Sequence, residues 1–409
     1  MLKYIKICAV FLVIVFLLPC VCIASNTIYT WSNSAKSLSE TVQANSAIAS
    51  SLNLNVGGAV LIEQRSGQVL YEQNMHEKLR PASVTKVMTI LLIMEAIDSG
   101  RLSYSDKIPC SEKAAGMGGS QIWLDVREEL TVDEMLKAIC VVSANDCTVA
   151  MAEYLAGTEE TFVDQMNKKA KELGMNDTTF KNCHGIDEDG HVTSAYDIAL
   201  MSRELLNKHP SITKYTTIYM DTLRDGKSSL VNTNKLIRNY KGATGLKTGS
   251  TSIALYNLSA SATRNDLSLI GVVMKAPTGP IRFSEAQKLL DYGFSNFEYK
   301  KFENKNDVIK QVTVEKGIEN TVNAIVEDDS GALISKGQEK DIVQTVEVVD
   351  TVNAPVSEGQ VLGTIAYSLN GNEIGRVNIV AEKSISKNST FNVIEHVILN
   401  WFSLLRYSK

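Results

Sequence analysis

The chain has 409 residues, a length that accommodates two or three domains. Its hydrophobic fraction of 44% and charged fraction of 21% are those of a globular protein, which excludes wholesale disorder, collagen and a long coiled coil. Lys and Arg number 41 against 46 Asp and Glu, a formal charge of −5. Without Lys3 and Lys6 of the leader the balance is 39 − 46 = −7, which argues against a nucleic-acid binder.

Lys3 and Lys6 precede an uncharged apolar run from Ile7 to Ala24, with small residues at its end. A basic n-region, an apolar h-region and a cut after Ala24 or Ser25 make residues 1–25 a signal peptide. The run's 18 residues are also the lower limit for a membrane span, so an uncleaved anchor is the alternative. The chain is therefore expected to be exported. Cys8, Cys20 and Cys22 go with the leader. Cys110, Cys140, Cys147 and Cys183 remain; with no CxxC they are not a disulfide scaffold, and Cys140 and Cys147, in apolar helical patterns, are expected to be buried thiols.

Residues 26–50 are a Ser/Ala/Asn-rich lead-in. Val60 and Ile62, the turn Arg65-Ser66-Gly67, then Val69 and Tyr71 predict a hairpin. Pro81 and Ser83 open an apolar helix running to about Ser99, closed by Gly100. Thr131 and Glu134 form a capping box before Met135, Leu136, Ile139 and Val142. Further helices are predicted over Cys147–Leu155, Glu159–Leu173, Ala195–Leu206 and Ile281–Tyr292. Leu255–Thr263 and Leu267–Lys275 alternate around Arg264-Asn265-Asp266, as strands of an antiparallel meander do. The charged stretch Lys300–Asp307 reads as a linker. Beyond it the chain is strand-like, with an Asn370-Gly371 hairpin turn between Val361–Ser368 and Ile374–Val380.

The expected architecture is α+β: an antiparallel sheet with helices over residues 26–297, a small all-β domain over 298–384, and a tail over 385–409. In that tail Phe391, Ile394, Ile398, Trp401 and Leu405 share one helical face, while Asn392, Glu395, His396, Asn400, Ser403 and Arg406 take the other. A helix of this kind lies in a membrane interface; a helix docked on its own domain is the alternative.

Several catalytic signatures are absent: there is no G-x-S-x-G, no P-loop and no G-x-G-x-x-G. His76-Glu77 begins like a zinc-protease motif but has Arg80 where a second His is required. His184, Asp187 and His191 offer two nitrogens and a carboxylate to zinc, in a run whose glycines and acids read as a polar loop. The positive signal is a triplet: Ser83-Val-Thr-Lys86, Ser143-Ala-Asn145 and Lys247-Thr-Gly249. The first two patterns recur elsewhere, S-x-x-K at Ser211–Lys214 and Ser384–Lys387, S-x-N at Ser51–Asn53 and Ser368–Asn370. Order and placement lift the triplet: helix start, end of a capped helix, and a strand opening a meander.

Ser83 and Lys86 lie one helical turn apart and share a face. A serine hydroxyl needs a base, and a lysine serves as one only when burial and a nearby cation lower its pKa. Lys247 is that cation in this scheme and also attracts a substrate carboxylate. Ser143 relays a proton between Lys86 and the leaving group, Asn145 binds a substrate amide, and backbone N–H groups near Ser83 and the Lys247 strand receive an oxyanion. No metal or cofactor is required.

The chain resembles a low-molecular-mass penicillin-binding protein, a serine-type D-alanyl-D-alanine carboxypeptidase. The phrases that carry the resemblance are Pro-Ala-Ser-Val-Thr-Lys86, Met117-Gly-Gly-Ser120, Val142-Ser-Ala-Asn-Asp146, Ser194-Ala-Tyr-Asp197, Gly245-Leu-Lys-Thr-Gly249 and Lys288-Leu-Leu-Asp-Tyr-Gly293. It implies a penicillin-binding/β-lactamase-like domain, a β-rich domain and a C-terminal amphipathic anchor. It also implies a stem-pentapeptide substrate of peptidoglycan, β-lactams as inhibitors, and the outer face of the cytoplasmic membrane or the cell-wall space as location. Under it Ser83 is the acylated nucleophile, Lys86 the proton acceptor, Ser143 the third catalytic residue, and Asn145, Lys247, Thr248 and Gly249 substrate contacts. Ser252-Ile253-Ala254-Leu255-Tyr256 departs from the family's acidic-then-small pattern. A class A β-lactamase, a D,D-endopeptidase and an inactive peptidoglycan-binding scaffold are the rivals; Asn176–Phe180 lacks the glutamate that the first requires.

Overall fold

A computed structural model describes residues 52–388. The predicted leader and the 391–409 tail lie outside the described residues, and none of the described helices is long and apolar enough to cross a membrane.

Five antiparallel strands form the central sheet, in the order Val69–Gln73, Gly58–Glu63, Leu267–Ala276, Leu255–Arg264, Ala243–Thr251. The 255–276 meander and the first hairpin are therefore present as expected. Alternation along Gly58–Glu63 sends Val60 and Ile62 to one face and Ala59 and Leu61 to the other. Both faces are covered, so the strand is buried throughout and reads as a continuous apolar run. The Gly279–Asn296 helix covers one face through Ala286, Leu289 and Leu290. A helical layer covers the other, centred on Lys86–Asp98, which is apolar on nearly all sides and buried.

Local signals set several boundaries. Thr131 and Glu134 form the reciprocal capping box that starts the Val132–Val141 helix. Asn145–Ala156, Glu159–Glu172 and Ala195–Lys208 follow as the remaining long helices of this layer. The Lys86 helix differs from expectation in one detail: its first turn, Ala82–Thr85, is a 3-10 turn. In a 3-10 turn residues i and i+3 eclipse, so Ser83 is stacked directly under Lys86.

The C-terminal portion is all-β. A six-stranded sheet runs Ile342–Val348, Val361–Leu369, Asn372–Ala381, Thr321–Val326, Val308–Glu315, Thr351–Asn353 around a core that includes Val312, Ile365 and Ile379. Asn370 and Gly371 both take positive φ, as a two-residue hairpin turn requires. The stretch expected to be a linker is instead built in. Phe297–Lys301 pairs with Gly331–Ser335, and the Phe302 ring stacks on Tyr367 at 3.9 Å. Charges on the outer positions of this short strand hide its alternation, in which Phe297 is buried.

Candidate active site

The three motifs converge where the sheet's edge strand meets the start of the Lys86 helix. Lys86 is fully buried, and its Nζ lies 2.9 Å from Ser83 Oγ, 2.6 Å from Asn145 Oδ1 and 2.6 Å from the His184 carbonyl oxygen. Burial, and secondarily the positive charge of Lys247, hold its pKa well below the ordinary lysine value. The expected cation is thus present, but desolvation is the larger effect.

Lys247 is itself buried, with Nζ donating to the Thr248 carbonyl oxygen at 3.0 Å. Burial, reinforced by the Arg282 charge, lowers its pKa to about 7. Thr248 Oγ1 lies 2.7 Å from Thr233 Oγ1. Ala243–Thr251 is an edge strand, so the backbone groups of its outer side are free of a neighbouring strand. Gly249 is where it closes on the serine. A Cβ there would meet Pro81 O at 2.8 Å and the Ser83 and Val84 nitrogens at 2.9 Å, so only glycine lets strand and turn approach this closely.

Ser143 is buried, takes φ of +65°, and its Oγ has no hydrogen-bond partner among the described residues. A left-handed serine with an uncommitted hydroxyl is the kind of strain that functional sites carry. Asn145 is already engaged: besides Lys86 it donates from Nδ2 to the Gly118 carbonyl at 2.7 Å, and its backbone N–H donates to Ser120 O. The next residue, Asp146, accepts the Ile122 and Leu124 N–H groups and pins the loop that follows Met117-Gly-Gly-Ser120. All seven predicted site residues therefore fall within this one region. By contrast, Lys214 of the recurring Ser211–Lys214 pair is exposed and bonded to Asp133.

Three features were not foreseen. The His184 carbonyl is a backbone group and leaves no mark in sequence. Gly185 crosses directly over the Ser83 turn: a Cβ would lie 1.9 Å from Ala82 O. Arg282, buried on the inner face of its helix, donates from Nη1 to Gly249 O at 3.3 Å and Asn257 O at 3.4 Å. Asn257 Nδ2 in turn donates to Arg80 O and Pro81 O, tying strand to serine turn. A charged residue in register with buried Ala286 and Leu289 was the available signal.

The zinc alternative fails on geometry. His191 Nε2 lies 2.8 Å from Thr85 Oγ1, and its Nδ1 accepts the Lys181 N–H. His184 Nδ1 accepts the Ile186 N–H, and Asp187 faces Arg80 instead of either imidazole. Among the described residues no three potential ligands converge. Burial lowers both imidazole pKa values to about 4, so both rings are neutral structural members of the loop.

Comparisons with known proteins agree with this geometry. Residues 43–278 match the family model described as D-alanyl-D-alanine carboxypeptidase, and residues 297–387 match that of the penicillin-binding protein 5 C-terminal domain. The chain is 44% identical to the D-alanyl-D-alanine carboxypeptidase DacF of Bacillus subtilis, over 84% of this chain and 89% of that protein. It is 32% identical to DacC of Escherichia coli, over 84% and 90%. Among solved structures, penicillin-binding protein 5 of Haemophilus influenzae superposes with a TM-score of 0.68 at 32% identity, covering 82% of this chain and 99% of that one. Penicillin-binding protein D2 of Listeria monocytogenes, in an ampicillin-bound form, gives 0.55 at 32% identity over 59% and 99%. With a catalytic-domain match over most of its helix-and-sheet portion and relatives matched along nearly their whole length, the chain belongs to the serine-type D-alanyl-D-alanine carboxypeptidase family.

Proposed function

We propose that Ser83 attacks the terminal D-Ala-D-Ala peptide bond of peptidoglycan stem pentapeptides, forming an acyl-enzyme that water then hydrolyses, and that penicillin acylates the same serine. The observation that carries this is the Lys86 amine, fully buried and 2.9 Å from Ser83 Oγ. A neutral amine has two hydrogens and one lone pair. Asn145 Oδ1 and the His184 carbonyl take the two hydrogens, which aims the lone pair at the Ser83 hydroxyl.

As Oγ bonds to the scissile carbonyl carbon, its proton passes to Lys86. The oxyanion that forms is met by backbone N–H groups of the Ser83 turn and the edge strand, already in van der Waals contact at Gly249. The departing D-alanine nitrogen needs a proton, and the uncommitted Ser143 hydroxyl is the relay from Lys86. Lys247 and Thr248 hold the terminal carboxylate. In deacylation Lys86 takes a proton from water in the same way. The ampicillin-bound state of the Listeria relative supports β-lactam acylation as the inhibited form of this cycle.

Incubating the purified protein with penicillin, and separately with a D-Ala-D-Ala pentapeptide, is expected to give a penicilloyl adduct on the peptide containing Ser83 and release of one D-alanine. Release of D-alanine without any adduct at Ser83 removes the serine from its role. Rapid turnover of penicillin would instead assign a β-lactamase, and cleavage confined to crosslinked dimers an endopeptidase.

We further propose export by the leader and retention at the outer face of the membrane by residues 391–409. Support comes from the half-cylinder of apolar residues around Trp401, with Glu395, His396 and Asn400 opposed to spanning. Deleting 391–409 is expected to move the protein to the soluble fraction with activity on a soluble peptide unchanged. Loss of folding or catalysis in that truncation would show a helix packed on its own domains.

A further inference from the structure

The loop around His184 supplies one carbonyl oxygen to Lys86. A backbone carbonyl is only as fixed as the loop that bears it, and this loop is fastened from beneath by a buried acid. Glu159 is 6% exposed; its Oε1 accepts the Cys183 N–H at 3.1 Å and lies 3.4 Å from His184 Nε2. Its Oε2 lies 2.9 Å from Lys113 Nζ. We propose that Glu159, steadied by Lys113, is a positioning residue for the Lys86 amine, acting through the Cys183–His184 backbone. The inference rests on the assignment of Lys86 as the base.

Helix chemistry alone does not account for Glu159. It opens the Glu159–Glu172 helix, where a carboxylate is favoured by the N-terminal dipole, but the adjoining Glu160 meets that preference at the surface and bonds the same Lys113. Turning Glu159 inward takes its charge out of water, a cost that its bonds must compensate. They do: burial works against the carboxylate, yet the Cys183 N–H and Lys113 outweigh it and hold its pKa below the ordinary value. His184, kept neutral by burial, accepts the Ile186 N–H at Nδ1, so its Nε2–H faces Glu159. One carboxylate thus holds the main chain of residue 183 and the side chain of residue 184. From the opposite side Thr89 Oγ1 donates to the Cys183 carbonyl at 2.7 Å, and Asn182 Oδ1 accepts the Gly185 N–H at 2.7 Å. The His184 carbonyl sits between these ties, pointed at Lys86.

The test is the kinetics of acylation by a fluorescent penicillin, resolved into pre-acylation binding and the limiting acylation rate constant, for the full-length protein and Glu159→Ala, Glu159→Gln and Lys113→Met. Misplacing the base by a fraction of an ångström is expected to lower the limiting rate of Glu159→Ala by about 10–100-fold. Pre-acylation binding should not change, because Glu159 does not reach the cleft. Glutamine keeps the acceptor oxygen and is expected to recover most of the rate; Lys113→Met is expected to show a smaller loss in the rate constant alone. Parental rates in Glu159→Ala overturn the proposal, as does a loss confined to penicillin binding or one that glutamine fails to recover in a folded protein. If Glu159→Ala does not fold, Lys113→Met decides, since Lys113 is half exposed and its replacement tolerable: a parental rate there overturns the relay. The parent is checked first for an adduct at Ser83. An unlabelled parent sinks the underlying assignment of the base; a labelled parent with an unimpaired Glu159→Ala sinks this inference alone.

Discussion

Ser83→Ala is expected to abolish labelling by fluorescent penicillin while leaving the thermal transition in place, and Lys86→Arg is expected to acylate about 10²–10⁴-fold more slowly than the parent. The two variants remove different things. Alanine deletes the only atom that forms the ester, in a residue whose backbone already adopts the 3-10 turn that alanine also tolerates. Arginine keeps the positive charge but forfeits the lone pair, because a guanidinium stays protonated at any pH the fold survives. Burial holds the pKa of Lys86 well below the ordinary lysine value, which favours the neutral amine that a base requires; a guanidinium in its place offers no such lone pair. Sterics add to the effect, since Nζ sits between three oxygen atoms at 2.6–2.9 Å with no room for a planar fork. Penicillin labelling that persists in Ser83→Ala, or near-parental acylation by Lys86→Arg, refutes these roles.

Much of this site could be read from local sequence because its defining relations are local. Ser83 and Lys86 are three residues apart, a spacing that puts both on one helical face, while Ser143–Asn145 and Lys247–Gly249 are each runs of three residues that one short segment delivers to the site together. Helix boundaries were legible for the same reason: Thr131 and Glu134 announce a start through bonds that span three residues. What stayed hidden depends on distant pairing. The hairpin Met220–Leu223 with Ser228–Val231, and the pair Lys107–Pro109 with Glu129–Thr131, are strands of three or four residues too short to show a period. Arg282 reaches Gly249 across 33 positions, and Asn257 reaches Pro81 across 176. The His184–Asp187–His191 group shows the opposite failure. Its composition fits a metal, yet every imidazole nitrogen faces a nearby loop or helix group, and the chemistry the loop contributes comes from a carbonyl.

Gly185→Ala is expected to be far more damaging than Gly174→Ala, which adds the same methyl group and serves as its control. Both glycines take positive φ, +91° and +74°, so in both an alanine pays the left-handed penalty of about 1–2 kcal/mol. They differ in surroundings. A Cβ at 174, just past the Glu159–Glu172 helix, meets nothing within 4 Å. At 185 it would stand 1.9 Å from the Ala82 carbonyl oxygen and 2.9 Å from the Ser83 nitrogen, both main-chain atoms with no rotamer to yield. The loop must retreat, and overpacking of this kind costs typically about 1–3 kcal/mol beyond the conformational penalty. The retreat also has a direction: it lifts the His184 carbonyl from Lys86 and slackens the turn that carries Ser83. Gly174→Ala should therefore lose a little stability and acylate at the parental rate. Gly185→Ala should lose more stability, roughly 3 kcal/mol, and in its folded fraction acylate at least about tenfold more slowly. Thermal unfolding together with penicillin acylation measured well below the transition separates the two effects. Equal stability losses in the two variants would mean that the approach of residue 185 to Ala82 is looser than the geometry requires, and a parental acylation rate in Gly185→Ala would mean that the loop can shift without disturbing the base.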